Sequence, residues 1–221
     1  MLASLALVPL ANKPCLLGLY APVHYDIIDS VKIFHYEEIS SSQALARELL
    51  AEENLPFVVS AKSQSSGKGT KGRSWHSPQG GLYFTLALEL DFNLLKNDIQ
   101  AFSEEACLLV VSVLRSFLLD YFPEENLEAL SIKPINDLYF EDAKLAGVLL
   151  ESVNDAPKSI LLIGIGLNVQ ALKEIELDRK IISLEELISK ESFLNFNKDD
   201  FLDKLVNKLS DSVSLMQKTY V

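Results

Sequence analysis

The sequence has little cysteine: two residues, Cys15 and Cys107, in 221. They lie far apart and match no metal or redox spacing, which excludes a disulfide-stapled scaffold, a zinc ribbon and a CxxC centre. Both read as reduced, small apolar residues of a cytoplasmic protein. A long apolar run is missing too. The nearest approach is the N-terminal MLASLALVPLANKPCLLGLY, which Pro9, Lys13 and Pro14 interrupt. It is too short and too broken to cross a bilayer, which takes about 20 consecutive apolar residues. No basic residue precedes it, so residues 1–30 read as an extended arm packing on the domain, with a signal peptide as the weaker alternative. Positive charge is scarce, with 20 Lys and Arg against 31 Asp and Glu and a net charge of −11. A general nucleic-acid or membrane-surface binder needs broad positive potential, and this balance excludes one. Repeats, low-complexity tracts and linkers are absent, which leaves one sizeable domain over residues 31–221.

One absence is local. From Asn54 to Leu88 there is no Asp or Glu, in a chain that is otherwise acidic. Inside that gap lies Gln64–Tyr83, QSSGKGTKGRSWHSPQGGLY, with five of the nine glycines, the only tryptophan, Trp75, and the cations Lys68, Lys71 and Arg73. Such a loop suits an anionic ligand carrying a flat ring. Glycine lets backbone N–H groups approach phosphate oxygens, Lys and Arg neutralise charge, and an indole face stacks on a base. The same composition also suits a flexible surface loop with solvated lysines.

Around this loop the chain reads as strands and helices in mixed order. Residues 31–38 predict a strand, Ser40–Ser42 a turn and helix cap, and 43–52 a helix with Leu45, Leu49 and Leu50 on one face. Phe57–Ser60 predicts a short strand leading into the loop. LYFTLALEL (82–90) alternates, with Leu82, Phe84, Leu86, Leu88 and Leu90 to one side, and predicts a half-buried strand. An apolar helix is expected over 101–120, and a strand over 131–139 broken by Pro134. KLAGVLLES (144–152) and SILLIGIGLNV (159–169) follow as β-type runs, the second apolar enough for a central strand. Helices over 184–190 and 199–217 close the chain, the last with Leu202, Leu205, Val206, Leu209, Val213 and Met216 in one stripe. The predicted class is α+β: a mixed, largely antiparallel central sheet with packed helices.

Three more glycines fall in two further motifs, Gly147 in KLAG and Gly164 and Gly166 in GIGLN, so eight of nine belong to three segments. Polar residues accompany them: Lys133, Asn136 and Asp137 before the first, Lys144 within it, Asn168 after the second. In this order the motifs resemble the biotin protein ligases, whose pattern is GRGRxGRxW-x-SP-x-G, then KWPND, then KLAG and GIGIN. Here they stand as GKGTKGRSWHSPQG, KPINDLYFEDAKLAG and GIGLN. Four motifs in the right order are far more specific than one. The resemblance runs from about Ser40 to Val169, and the later helices fit the end of that family's catalytic domain.

The resemblance implies the fold shared with class II aminoacyl-tRNA synthetases and a two-step reaction. Biotin's carboxylate attacks the α-phosphate of ATP, with Mg2+, to give biotinyl-5′-AMP and pyrophosphate. A lysine of a biotin carboxyl carrier protein then attacks the mixed anhydride, giving an amide and AMP. Carried over by position, Lys144 would contact the biotin carboxylate and the α-phosphate. Ser40, Ser41 and Gln64 would hydrogen-bond the ureido ring, and Gly67 and Lys68 would lie along biotin and phosphate. Arg73 would serve the phosphates, Trp75 would pack on the adenine or its covering loop, and Asn136 and Asn168 would read the adenine or ribose. Lys133 and Asp137 would meet the triphosphate, Asp137 as the single metal ligand. Gly147, Gly164 and Gly166 would mark places where backbone passes close to biotin. His24, His35 and His76 receive no role.

Departures from the pattern carry expectations too. Lys68 replaces an arginine and loses its bidentate fork, and Thr70 replaces a second arginine and keeps neither charge nor fork. Looser retention of the adenylate follows, unless Lys71 compensates. KPIND loses the family's tryptophan and shifts the proline by one place. No basic helix-turn-helix pattern precedes the catalytic part, and no room remains for the small SH3-like barrel that many members add, so operator-DNA binding is not expected. A monomer and a homodimer stay equally open. The competing readings are a lipoate-type ligase or transferase, whose family lacks the tryptophan loop, and a non-catalytic binding relative. A phosphate-loop nucleotidase fits poorly, since GKGTKGR lacks the GK-[ST] ending and leads into a strand.

Overall fold

The computed structural model describes residues 22–28, 30–90, 99–121, 128–133, 136–155, 158–171 and 180–219. The first part of the N-terminal arm with Cys15, and Pro134 of the KPIND segment, lie outside them. Among the described residues eight strands form one sheet: β1 (His24–Ile28), β2 (Val31–Ile39), β3 (Phe57–Gln64), β4 (Leu82–Leu90), β5 (Leu130–Lys133), β6 (Asp137–Phe140), β7 (Ala143–Asp155) and β8 (Lys158–Leu167). Their order across the sheet is β1-β2-β3-β4-β8-β7-β6-β5. Only β2 and β3 pair parallel, and helix α1 (Ser42–Leu49) supplies the crossover such a pair requires. The remaining neighbours are antiparallel, so the sheet is mixed and largely antiparallel, as the residue pattern predicts. The last described part of the arm, His24–Ile28, is the edge strand beside β2.

Both faces of the sheet are covered. On one side α1 lays Leu45, Ala46 and Leu49 on Phe34, Phe57, Val59 and Leu162. On the other, α2 (Ile99–Leu119) and α5 (Lys198–Thr219) bury Val110, Leu114, Leu118, Leu202, Leu205 and Leu209 against β4, β7 and β8. That two-sided cover corrects the expectation for 82–90. Tyr83, Thr85 and Ala87, on the face expected to meet solvent, are buried, Ala87 and Thr85 beside α1. Alternation in β4 is between two apolar layers and not between core and water, which residue polarity alone conceals. The segment 131–139 is likewise two antiparallel strands, β5 and β6, and 184–190 resolves into α3 (Leu184–Leu187) and the start of α4 (Lys190–Leu194). No helix among the described residues is long and apolar enough to cross a membrane. Cys107 is buried in α2, and burial followed by the charge of Asp137 pushes its thiol up to about 11, so it is an inert core residue.

One carboxyl on α5 sits at odds with its surroundings. Burial, then the neighbouring charges of Asp199, Asp26 and Asp200, push Asp203 up to about 6. A folded value above the unfolded one means that the neutral acid is favoured by folding. That contribution is complete below about pH 4 and is lost as the pH rises through 6. Asp203→Asn, which stays neutral, is expected to raise Tm by a few degrees at about pH 7.5, less than the full shift implies because water screens a half-buried carboxyl. Near about pH 3.5 the variant and wild type are expected to melt together. Thermal melts at the two pH values check this, and an equal gain at both refutes it.

Candidate active site

The glycine-rich stretch is not an open coil. It leaves β3 at Gln64, folds back as an irregular hairpin, and rejoins the sheet before β4. Gln64 N–H donates to the Ser77 carbonyl at 2.9 Å, Trp75 N–H to Gly67 at 2.8 Å and Gly69 N–H to Arg73 at 2.7 Å. The tip is a single 3-10 turn, Thr70–Gly72, where Lys71 and Gly72 take positive φ of 56° and 71°. Its base is tied to the end of β2, since Ser65 and Ser66 N–H donate to the carbonyls of Ile39 and Ser40 at 3.0 and 2.8 Å. The Gln64 side chain joins loop to helix: its Oε1 accepts from Ser42 N–H at 2.7 Å and its Nε2 donates to Ser77 Oγ at 2.8 Å.

Under this flap lies a cleft whose floor is β7 and β8. Lys144 on β7 is only 5% exposed, and its Nζ reaches Asp137 Oδ2 on β6 at 2.7 Å. Across the cleft, Arg73 is folded onto its own loop, donating from Nη2 to Thr70 Oγ1 at 2.8 Å and from Nε to the Thr70 carbonyl at 3.3 Å. Lys68, Arg73 and Lys144 therefore border one cleft whose single acidic lining residue, among the described residues, is Asp137. In a molecule of net charge −11 this is a concentrated local surplus of cations.

The floor itself is unusually close to a side chain of the flap. Gly147 and Gly166 are register partners on β7 and β8. A Cβ built on Gly166 would stand 2.4 Å from the Trp75 indole, and one on Gly147 2.8 Å from it. The tryptophan lies directly on the glycine floor, with Lys144 Nζ 5.0 Å from its ring centroid. Its Nε1–H is buried with no hydrogen-bond partner, as is Asp137 Oδ1. A large aromatic thus occupies the slot that the three motifs create, and it leaves polar atoms unsatisfied there. Orphaned groups of this kind cost about 1–3 kcal/mol each. Gly164 is close-packed on a different group, Gln43 Oε1, at 2.5 Å from a hypothetical Cβ.

The structure brings together Ser41, Gln64, Lys68, Arg73, Trp75, Asn136, Asp137, Lys144, Gly147, Gly164 and Gly166 around this cleft. Gly67 and Asn168 border the hollow on the far side of Trp75, which shares Gln64, Lys68, Arg73 and Lys144 with the first. Two expected positions differ. Ser40 does not line the cleft; its carbonyl holds Ser66, and Ser42 takes the place beside Ser41. Lys133 is exposed and donates to the Glu141 carbonyl at 2.7 Å, outside both hollows. Lys71 is exposed and lines neither. Asn136 and Asn168 give their amide N–H groups to backbone, Asn136 to Val148 at 3.1 Å and Asn168 to Lys144 and Ile182 at 3.1 and 3.2 Å. Asn168 is thereby a bracket that sets the backbone of Lys144.

Sequence reading missed one polar group, Ser42, Gln43 and Thr85. Thr85 Oγ1 lies 2.9 Å from Ser42 Oγ and 3.1 Å from Gln43 Oε1, all buried. Gln43 was legible only as an ordinary helix residue. The signal that could have found it is Gly164, since a glycine in a β-rich run marks a close approach.

The fold and the site define a class: a mixed sheet carrying a glycine-rich basic flap over a buried lysine. Residues 37–168 match the Biotin/lipoate A/B protein ligase family, and the chain belongs to that family. Among curated relatives, the bifunctional ligase/repressor BirA of Escherichia coli is 26% identical over 161 residues, 72% of this chain and 46% of the relative. BirA of Bacillus subtilis is 32% identical over 142 residues, covering 62% and 40%. This chain spans about half the length of those relatives. Among solved structures, the biotin protein ligase from Aquifex aeolicus in complex with biotin and ATP superposes with a TM-score of 0.59 at 27% identity, covering 84% of this chain and 72% of that one. The biotin protein ligase from Leishmania major in complex with biotin gives 0.56 at 25%, covering 82% and 80%.

The Lys144–Asp137 pair can be tested apart from any activity. Breaking a buried pair leaves one charge uncompensated, so Lys144→Met or Asp137→Leu alone is expected to cost about 3–5 kcal/mol. Lys144→Met combined with Asp137→Leu is expected to lie closer to wild type than either single variant. Urea unfolding of the four proteins measures the coupling, and strict additivity refutes it.

Proposed function

We propose that the chain is a biotin protein ligase, joining biotin to a lysine of a biotin carboxyl carrier protein through biotinyl-5′-AMP at the expense of ATP. The observation that carries this reading is the cleft beneath the flap, where Lys144, Lys68 and Arg73 surround a glycine floor. Two anions, a carboxylate and a triphosphate, repel each other in water, and a preset array of cations removes that obstacle. In the first step the biotin carboxylate oxygen bonds to the α-phosphorus and pyrophosphate leaves with the breaking P–O bond. In the second the carrier amine bonds to the carbonyl carbon, loses a proton, and AMP leaves. Lys144 sits at the junction, where its ammonium would neutralise carboxylate and α-phosphate as they approach. Lys68 and Arg73 reach the cleft from the flap and would hold the phosphates. Gln64, whose amide now bridges helix and loop, would exchange one of those hydrogen bonds for the ureido group. Asp137 Oδ1, a buried oxygen without a partner, fits the single carboxylate that Mg2+ uses when phosphates supply its other ligands; the ion would neutralise the triphosphate. The lipoate reading lacks a counterpart for Trp75 on its flap, which favours biotin. We place the enzyme in the cytoplasm, where reduced Cys107 and a nucleotide substrate are at home.

Trp75 must leave the floor for a ligand to reach Gly147 and Gly166. Biotin is therefore expected to change the emission of this single tryptophan, read by fluorescence titration, and an unchanged spectrum at saturation refutes the displacement. Pyrophosphate release with ATP is expected with biotin and not with lipoate, and Lys144→Ala is expected to lose about 10²–10³-fold. Release by the alanine variant at the wild-type rate overturns the assignment of Lys144.

Thr70 bears on retention of the intermediate. Its hydroxyl holds Arg73 to the flap and adds no charge toward the cleft. Free biotinyl-AMP is expected to escape faster from wild type than from Thr70→Arg, measured by chromatography of a reaction without carrier. Equal escape refutes the idea.

A further inference from the structure

Two of the three histidines stand together at the sheet edge, remote in role from the cleft. His24 and Asp26 are two apart on β1 and share a face, and His24 is the cross-strand partner of His35 on β2. His35 Nε2 lies 3.2 Å from Asp26 Oδ2 and His24 Nε2 3.8 Å from the same oxygen. All three candidate ligand atoms fall within 4.8 Å of one another. For metal–ligand bonds of about 2.0–2.1 Å, tetrahedral ligand atoms stand about 3.3–3.4 Å apart, so two edges of that figure are nearly formed. The imidazoles are stacked, with centroids 4.4 Å apart and planes 10° from parallel. Parallel rings cannot both aim at one ion, so one must tilt. His24, with 37% of its side chain exposed against 16% for His35, has the freedom to do so.

We propose that His24, Asp26 and His35 form a divalent transition-metal site of zinc-like chemistry that clips the edge strand β1 to β2, with Asp199 facing its open side. Asp199, in the first turn of α5, borders the same hollow as both histidines. Lys62 and Lys198 also border it, Lys62 already paired with Glu37 at 2.6 Å. Two imidazoles and a carboxylate suit a borderline cation better than Mg2+ or Ca2+, which take oxygen ligands. A bound ion that also took Asp199 would tie β1 to the start of α5.

The full chain, stripped with chelator and dialysed, is titrated with Zn2+ by calorimetry, with Mg2+ and Ca2+ as parallel arms. Wild type is expected to take one equivalent of Zn2+ and neither other ion at the same concentration, and to gain in Tm with Zn2+. His24→Gln with His35→Asn is expected to lose the equivalent and the Tm gain, each judged against that variant's own metal-free melt. His24→Gln alone, on the exposed edge, serves if the double variant does not fold. His76→Ala and Cys15→Ser with Cys107→Ser are expected to keep the equivalent. The proposal is overturned if wild type takes no Zn2+, if the equivalent survives loss of His24 and His35, or if it vanishes with His76 or the cysteines.

Discussion

Lys144 and Asp137 meet at 2.7 Å inside the sheet, and the geometry of the cleft depends on that contact. A buried ammonium survives only with a partner, and its partner fixes where it points. Asn168 then clamps the Lys144 carbonyl, and the Lys180–Ile182 segment pairs with the same residue from the other side, Ile182 N–H donating to Lys144 at 3.1 Å. The lysine is therefore held by side chain and backbone together. Such preorganisation is what a site needs if it is to neutralise developing or approaching negative charge without rearranging itself.

Around this fixed charge the glycines are not free space. They let another side chain of the same protein approach to van der Waals contact. Trp75 on Gly147 and Gly166, and Gln43 against Gly164, fill positions where any larger residue would collide. The flap is thus joined to its floor through the indole. Its unsatisfied Nε1–H and the orphaned Asp137 Oδ1 mark this arrangement as one that polar ligand atoms would improve. The surface is thus covered by its own aromatic, with Lys68 and Arg73 at the rim.

Much of the sheet was legible because strand type follows composition. SILLIGIGLNV reads as a central strand, and β8 does lie between β4 and β7. The stripe from Leu202 to Val213 reads as one face of a helix, and all of it is buried in α5. The polarity of β4 misled for a physical reason. Its second face carries Tyr83, Thr85 and Ala87, residues equally at home in water or under a helix, and only the position of α1 decides. Ser40 and Lys133 failed as lining residues because motif position locates a residue along the chain to within one or two places. Side-chain direction alternates at every one of them.

The sequence alone determined that the chain has four ordered motifs, three of them glycine-bearing, an acid-free basic loop and a lysine inside the motif KLAG, because these are facts of composition and order. The order of those motifs also carried the resemblance to the ligase family to which the chain belongs. Tertiary structure decided which cation is buried and which face water. It also decided that Trp75 lies on the floor, and that His24, Asp26 and His35 form a group. Those outcomes rest on contacts between β6 and β7, between the flap and β7 and β8, and between β1 and β2. Only the folded packing of the sheet sets such distances, and no local pattern encodes them.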